Sequence, residues 1–210
     1  MTPLEASEQP AALCALAPVI PVLVIEDAGT AGELAQALVA GGLPVLEVTL
    51  RTEAARDVIR ARANVEGGVV GAGTLLTPAD VAAAKDAGAL FGVSPGATPR
   101  LLDAAEEADL PILPGAASAS EAMALLQRGY TVQKFFPAEA AGGAAFLGSL
   151  ASPLPQITFC PTGGLNLAKA PDYLALPNIR CVGGSWVAPK DKIAASDWAG
   201  IEALAGEAAA

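Results

Sequence analysis

One pattern runs through this chain from end to end: a short β-rich apolar run, a turn, then an alanine-rich stretch of helical composition. The apolar runs are Val19–Ile25, Val45–Leu50, Val69–Thr74, Leu90–Pro95, Pro111–Gly115, Thr131–Pro137, Ile157–Thr162 and Ile179–Ser185. Helical stretches fall between them near 30–41, 53–62, 77–87, 98–108, 118–128, 143–151 and 166–175, with a last one over 197–207. Capping signals agree: Thr77-Pro78 and Ser118 start helices, and Gly41, Gly88 and Gly129 end them. Eight such units, spaced by roughly 20–26 residues, predict a (β/α)8 TIM barrel of parallel strands. An open doubly wound sheet is the other topology. It gains little from Gly71-Ala72-Gly73-Thr74-Leu75-Leu76, which lacks the third glycine of a dinucleotide turn and the acidic residue beyond it.

Composition supports a barrel. Apolar residues make up 53% of the 210 residues and charged ones only 16%, as in proteins whose strands are covered on both faces. That length predicts a single domain over 1–210. No linker divides the chain, and only the first few residues and Gly206–Ala210 are expected to fray. Residues 11–25 are apolar, but Glu5 and Glu8 precede them without any basic residue, and Pro18 and Pro21 interrupt the run. They read as a short N-terminal helix and the first strand, not as a leader or a membrane span.

The formal net charge is −10, with no cluster of Lys or Arg. Nucleic acid and membrane surfaces are therefore not expected partners. Cys14, Cys160 and Cys181 lack metal-ligand spacing and read as reduced thiols of a cytoplasmic protein. Histidine is absent altogether, which removes the commonest general base and the commonest metal ligand. No metal and no cofactor are expected.

Against that background Lys134 stands out. It sits inside Thr131-Val132-Gln133-Lys134-Phe135-Phe136-Pro137, a run that otherwise reads as a buried strand. A desolvated strand lysine is a carbonyl-seeking amine, able to form a Schiff base. Glu47 is equally out of place in Val45-Leu46-Glu47-Val48-Thr49-Leu50. Side chains alternate along a strand, so Glu47, Thr49 and Arg51 share one face, and Lys134 and Phe136 share another. If those faces point inward, the barrel holds an amine, a carboxylate, a guanidinium and, at the end of the third strand, the hydroxyl of Thr74. The plainer readings are a buried Lys134–Glu47 ion pair, a solvated Arg51 and a turn threonine. The ion pair would require two charges to be desolvated for little net stability.

Two glycine pairs add a second signal. Pro161-Thr162-Gly163-Gly164 ends the seventh run and Gly183-Gly184-Ser185 the eighth. Glycine lets backbone N–H groups approach an anion, and barrels often bind phosphate at the loops after strands seven and eight.

In combination, Glu47-Val48-Thr49-Leu50-Arg51 and Lys134-Phe135-Phe136-Pro137-Ala138-Glu139 are specific. Joined to Val70-Gly71-Ala72-Gly73-Thr74, Val93-Ser94-Pro95-Gly96, Phe159-Cys160-Pro161-Thr162-Gly163-Gly164 and Val182-Gly183-Gly184-Ser185-Trp186, they make the chain resemble the 2-keto-3-deoxy-6-phosphogluconate (KDPG) and 4-hydroxy-2-oxoglutarate (KHG) aldolase family. The resemblance covers roughly residues 18–190. It implies a class I aldolase that cleaves KDPG to pyruvate and glyceraldehyde 3-phosphate, with KHG cleavage as a side reaction. Lys134 matches the Schiff-base lysine and Glu47 the proton-shuttling carboxylate. Arg51 and Thr74 match the holders of the pyruvate carboxylate. Pro95 and Phe136 match residues lining the pyruvyl site, and Thr162, Gly163, Gly164, Gly184 and Ser185 match the phosphate end. The resemblance further implies a cytoplasmic homotrimer acting on a keto-acid phosphate. The alternatives are an aldolase for the 4-epimeric galactonate-derived substrate and a non-aldolase phosphosugar-binding barrel.

Overall fold

The computed structural model describes residues 3–62 and 65–210. Eight strand positions form a closed parallel barrel: β1 (Val19–Leu23), β2 (Val45–Thr49), β3 (Val69–Gly73), β4 (Gly92–Val93), β5 in two pieces (Ile112–Leu113 and Gly115–Ala116), β6 (Val132–Phe135), β7 (Thr158–Pro161) and β8 (Val182–Gly184). All pairings are parallel. β1 through the first piece of β5 follow in order, and the second piece continues through β6 to β7. β8 closes the ring by pairing with β1, at Ile20↔Gly183, and by bridges to the β7 segment, at Phe159↔Ile179 and Thr162↔Gly183.

The break in β5 has a covalent cause. Pro114 has no N–H to give to the ladder, yet its carbonyl still accepts from Lys134 N at 2.8 Å. The strand therefore bends at that proline and changes partner from β4 to β6.

Helices wrap the barrel: α1 (Pro3–Cys14), α2 (Ala31–Ala40), α3 (Ala55–Arg62), α4 (Pro78–Asp86), α5 (Pro99–Glu107), α6 (Ala119–Arg128), α7 (Gly143–Leu150), α8 (Ala170–Leu174), α9 (Lys190–Ala194) and α10 (Trp198–Ala209). The capping signals do their work. Thr77 and Asp80 form a reciprocal capping box on α4, Ser118 Oγ accepts from Glu121 N, and Gly129 ends α6 at φ 111°.

Four details differ from the sequence expectations. α1 begins at Pro3, well before residue 11. Ser7 and Pro10 are buried, and Ser7 Oγ accepts from Thr131 N at 2.9 Å and Val132 N at 3.3 Å. Docking on the barrel outweighs the loss of Pro10's donor. The helix expected over 166–175 contracts to α8, preceded by a turn in which Lys169 N donates to Asn166 Oδ1 at 3.1 Å. The short helix α9 was not foreseen. Finally, Gly206–Ala210 do not fray, since α10 runs to Ala209 with Ala205 and Ala208 buried. Residues 1 and 2, part of the segment expected to fray at the other end, lie outside the described residues.

Strand parity sorts the core in two. Outward residues such as Leu46, Val48, Val70, Ala72, Phe135 and Phe159 pack under the helices. Inward residues at the N-terminal end of the barrel, among them Ile20, Val45, Phe91 and Val132, form a separate cluster with Cys160, Cys181 and Cys14 of α1. Among the described residues no helix is long and apolar enough to cross a membrane.

Candidate active site

Lys134 and Glu47 both point into the barrel. Each lies two residues beyond an inward apolar residue, Val132 and Val45 respectively, so the period-two rule carries them to the same interior one layer higher. Lys134 is 4% exposed and Glu47 3%. The amine donates to Glu47 Oε1 at 3.3 Å and Oε2 at 3.4 Å. Such a pair adds little net stability, because removing both charges from water offsets their attraction. It does give a buried amine a carboxylate able to exchange protons with it.

The neighbouring strand makes room for the carboxylate. A Cβ on Gly73 would stand 2.2 Å from Glu47 Oε1, so no larger residue fits there unless Glu47 moves. The next residue, Thr74, holds φ at 62°. That is a strained value for a β-branched side chain, of a kind that clusters at functional sites. Its Oγ1 accepts from Arg51 Nε at 3.2 Å. Thr74 is not the helix cap, a role filled by Thr77. Thr49 shares the inward face of β2 as expected, but its hydroxyl is committed to Leu23 O at 2.9 Å.

Phe136 links the lysine to the mouth of the barrel. Lys134 Nζ lies 5.8 Å from the centre of its ring. Pro95, at the end of β4, stands beside Gly115, the residue that pairs with Lys134; a Cβ on Gly115 would come within 2.3 Å of Pro95's carbonyl. Above these residues opens a cavity of about 180 Å³, lined in part by Arg51, Phe136, Thr162, Gly163, Gly164, Gly184 and Ser185. Gly163 and Gly164 take φ of 104° and 82°, values that glycine alone adopts easily.

The structure therefore brings the sequence-predicted residues into one continuous constellation. Seven line the cavity. Lys134, Glu47, Thr74 and Pro95 lie deeper or beside it and connect through Phe136 and Arg51. Val22, Val24, Leu165 and Gly183 complete the lining; Gly183 belongs to the second glycine pair of the sequence, and the other three were missed. The signal for Val22 and Val24 was parity with the inward Ile20; Leu165 had none. The larger cavity of about 520 Å³ between Glu26 and Lys190 shares Val24 with this lining and contains none of the sequence-predicted residues. Among the described residues no group of three or more His, Cys, Asp or Glu could hold a metal ion.

Comparison with known proteins places the chain in a family. Residues 11–204 match the KDPG and KHG aldolase family. The chain is 51% identical to a 2-dehydro-3-deoxy-phosphogluconate aldolase of Pseudoalteromonas atlantica over 194 residues, 92% of this chain and 90% of that one. It is 50% identical to a KHG/KDPG aldolase of Escherichia coli over 192 residues, 91% of this chain and 90% of that one. Among solved structures, KDPG aldolase from Legionella pneumophila, with pyruvate captured as a covalent carbinolamine, superposes with a TM-score of 0.93 at 45% identity, covering 96% of this chain and 98% of that one. The Zymomonas mobilis KDPG aldolase with 3-phosphoglycerate gives a TM-score of 0.93 at 50% identity, covering 97% of this chain and 96% of that one. On these grounds the chain belongs to the KDPG and KHG aldolase family.

Proposed function

We propose that this protein cleaves 2-dehydro-3-deoxy-6-phosphogluconate to pyruvate and D-glyceraldehyde 3-phosphate through a Schiff base on Lys134. The observation that carries the reading is the buried Lys134–Glu47 contact beneath a cavity with glycine turns at its far rim.

The neutral Lys134 amine attacks the C2 ketone and forms a carbinolamine. Loss of water gives an iminium. Removal of the C4 hydroxyl proton lets the C3–C4 bond break, with its electron pair flowing into the iminium to give an enamine while the aldehyde departs. Protonation of the enamine carbon and hydrolysis release pyruvate and regenerate the amine. Glu47, in contact with the amine, is the carboxylate that moves protons in these steps, directly or through water. Arg51 and Thr74, already joined to each other, hold the substrate carboxylate, with Arg51 supplying charge-assisted hydrogen bonds. Phe136 and Pro95 line the pyruvyl end. Thr162, Gly163, Gly164, Gly184 and Ser185 receive the phosphate, mostly through backbone N–H groups.

The covalent pyruvate adduct in the Legionella relative and the 3-phosphoglycerate in the Zymomonas relative support the two ends of this assignment. The reading treats residues 1–210 as one aldolase domain of a cytoplasmic homotrimer and includes KHG cleavage to pyruvate and glyoxylate as a side reaction. The test is pyruvate release, coupled to a dehydrogenase, from KDPG and from its 4-epimer. Faster release from KDPG supports the reading. Preference for the epimer transfers the assignment to the galactonate series, and release from neither refutes it.

A further inference from the structure

The glycine turn proposed to receive phosphate has no side chains of its own to fix its shape. Gly163 and Gly164 both take positive φ, a conformation that many turns reach and leave easily. Its support comes from the end of the Lys134 strand. Ala138 N donates to Thr162 O at 2.8 Å and Glu139 N to Gly163 O at 3.1 Å. The Glu139 side chain passes directly beneath the turn; a Cβ on Gly164 would lie 2.8 Å from both Glu139 Cβ and Cγ.

The carboxylate of Glu139 is itself anchored. Tyr173 OH donates to Oε1, and Lys169 Nζ forms an ion pair with Oε2. Tyr173 is 1% exposed, so its hydroxyl is a buried donor aimed at this one acceptor. The first turn of α7 lies close by: a Cβ on Gly143 would be 3.7 Å from Oε1, and a helix N-terminus favours negative charge. The ion pair to Lys169, then the hydrogen bond from Tyr173, holds the Glu139 carboxyl below its usual range. Exposed ion pairs commonly contribute little to stability. This one links three segments that meet at the substrate's far end: the continuation of β6, the glycine turn and α8.

We infer that Glu139, fixed by Tyr173 and Lys169, is a positioning residue that sets the Gly163–Gly164 turn for a phosphate and so confers preference for phosphorylated substrates. Glu139 touches no reacting atom. Its backbone and stem hold the turn, and its carboxylate is the anchor. The inference rests on the aldolase reading above, and its consequence is selective. Loosening the turn weakens binding of the phosphate end and leaves the chemistry at Lys134 alone, because preorganisation lowers the cost of ordering the bound state.

The experiment uses the full chain with Glu139→Gln and, independently, Tyr173→Phe, checked for folding by thermal melting. KDPG cleavage is compared with borohydride trapping of pyruvate, which carries no phosphate. KM for KDPG rises about tenfold, the equivalent of one lost hydrogen-bonded anchor. Its kcat, and the pyruvate concentration giving half-maximal trapping, stay within about twofold of wild type, a spread small on that scale. Tyr173→Phe, which removes the hydrogen-bonding anchor and leaves the Lys169 ion pair, shifts KM in the same direction. Equal loss in both assays would reveal a general structural role and overturn the inference. So would an unchanged KM, or a lower KM in Glu139→Gln, the result expected if a released Lys169 ammonium binds phosphate itself. Failure of the wild-type chain to cleave KDPG or to trap pyruvate would instead refute the aldolase reading.

Discussion

The two ends of the barrel interior are built from the same strands by opposite rules. At the N-terminal end Val45, Phe91, Val132 and the thiols of Cys160 and Cys181 pack against α1 and its Cys14 with little water contact. One layer higher, about 7 Å along β2 and β6, the same inward faces carry Glu47 and Lys134. Below, the inward side chains are apolar or thiols. Hydrogen bonding among the thiols is the first cause of their shifts: it holds Cys160 and Cys181 above their usual range and Cys14 below it. Above, the interior holds two opposed charges that a purely structural layer would avoid, beside a glycine that leaves room for one of them and a threonine in strained backbone. The lower layer is the floor that stabilises the barrel; in the proposed mechanism the upper layer gives up stability for reactivity.

Four substitutions test that contrast. The largest effect belongs to Lys134→Met, which should lower kcat for KDPG by a factor on the order of 10⁴ or more, as loss of a nucleophile does. It should also destabilise the fold by about 3–5 kcal/mol, because Glu47 is left as an unpaired buried charge. Denaturant melts should recover most of that loss in the Lys134→Met, Glu47→Gln double variant, which stays inactive. If the double variant is as unstable as the single one, the upper layer is not the burden described. Glu47→Gln alone should retain pyruvate trapping but slow exchange of the pyruvate methyl protons by about 10²–10⁴-fold; NMR in deuterated buffer reads this directly, and an unchanged rate removes Glu47 from the mechanism. Gly73→Ala should cost about 1–3 kcal/mol in overpacking and reduce kcat by displacing Glu47. Cys181→Ser, in the floor, should cost about 1–2 kcal/mol in the melt, from a hydroxyl poorly matched to an apolar layer, and leave kcat unchanged. A fall in kcat comparable to that of Gly73→Ala would erase the distinction between the layers.

The smallest expected effect is one of pH. The carboxyl of Glu139 is held low by Lys169 and then by Tyr173. Its contribution is therefore complete above the unfolded carboxyl value of about 4.3 and lost only as pH falls through the lower folded value. The stability difference between wild type and Glu139→Gln should be flat from about pH 6 to 8 and close only in acid. A difference that changes near neutrality would mean that another group titrates with it.

Much of this was legible in the sequence because it follows from period and parity. The strand–helix repeat fixes the barrel, and alternation along β2 and β6 puts Glu47 and Lys134 on inward faces. What escaped depends on contacts between distant segments. The N-terminal part of α1 is docked on the barrel by Ser7, which accepts from the backbone at Thr131 and Val132, a contact that no local propensity encodes. The strain at Thr74 and the room that Gly73 leaves for Glu47 emerge only when β2 and β3 lie side by side. Leu165 enters the cavity lining through the course of a loop, and the α9 turn between β8 and α10 left no periodic trace.

The central claim is that the inward amine at position 134 becomes covalently bonded to the keto acid. Reduction with borohydride in the presence of pyruvate, followed by peptide mapping, tests it most directly. A pyruvate-dependent adduct should appear on Lys134 and vanish in Lys134→Met. An adduct on Lys85, Lys169, Lys190 or Lys192, or none at all, would contradict it.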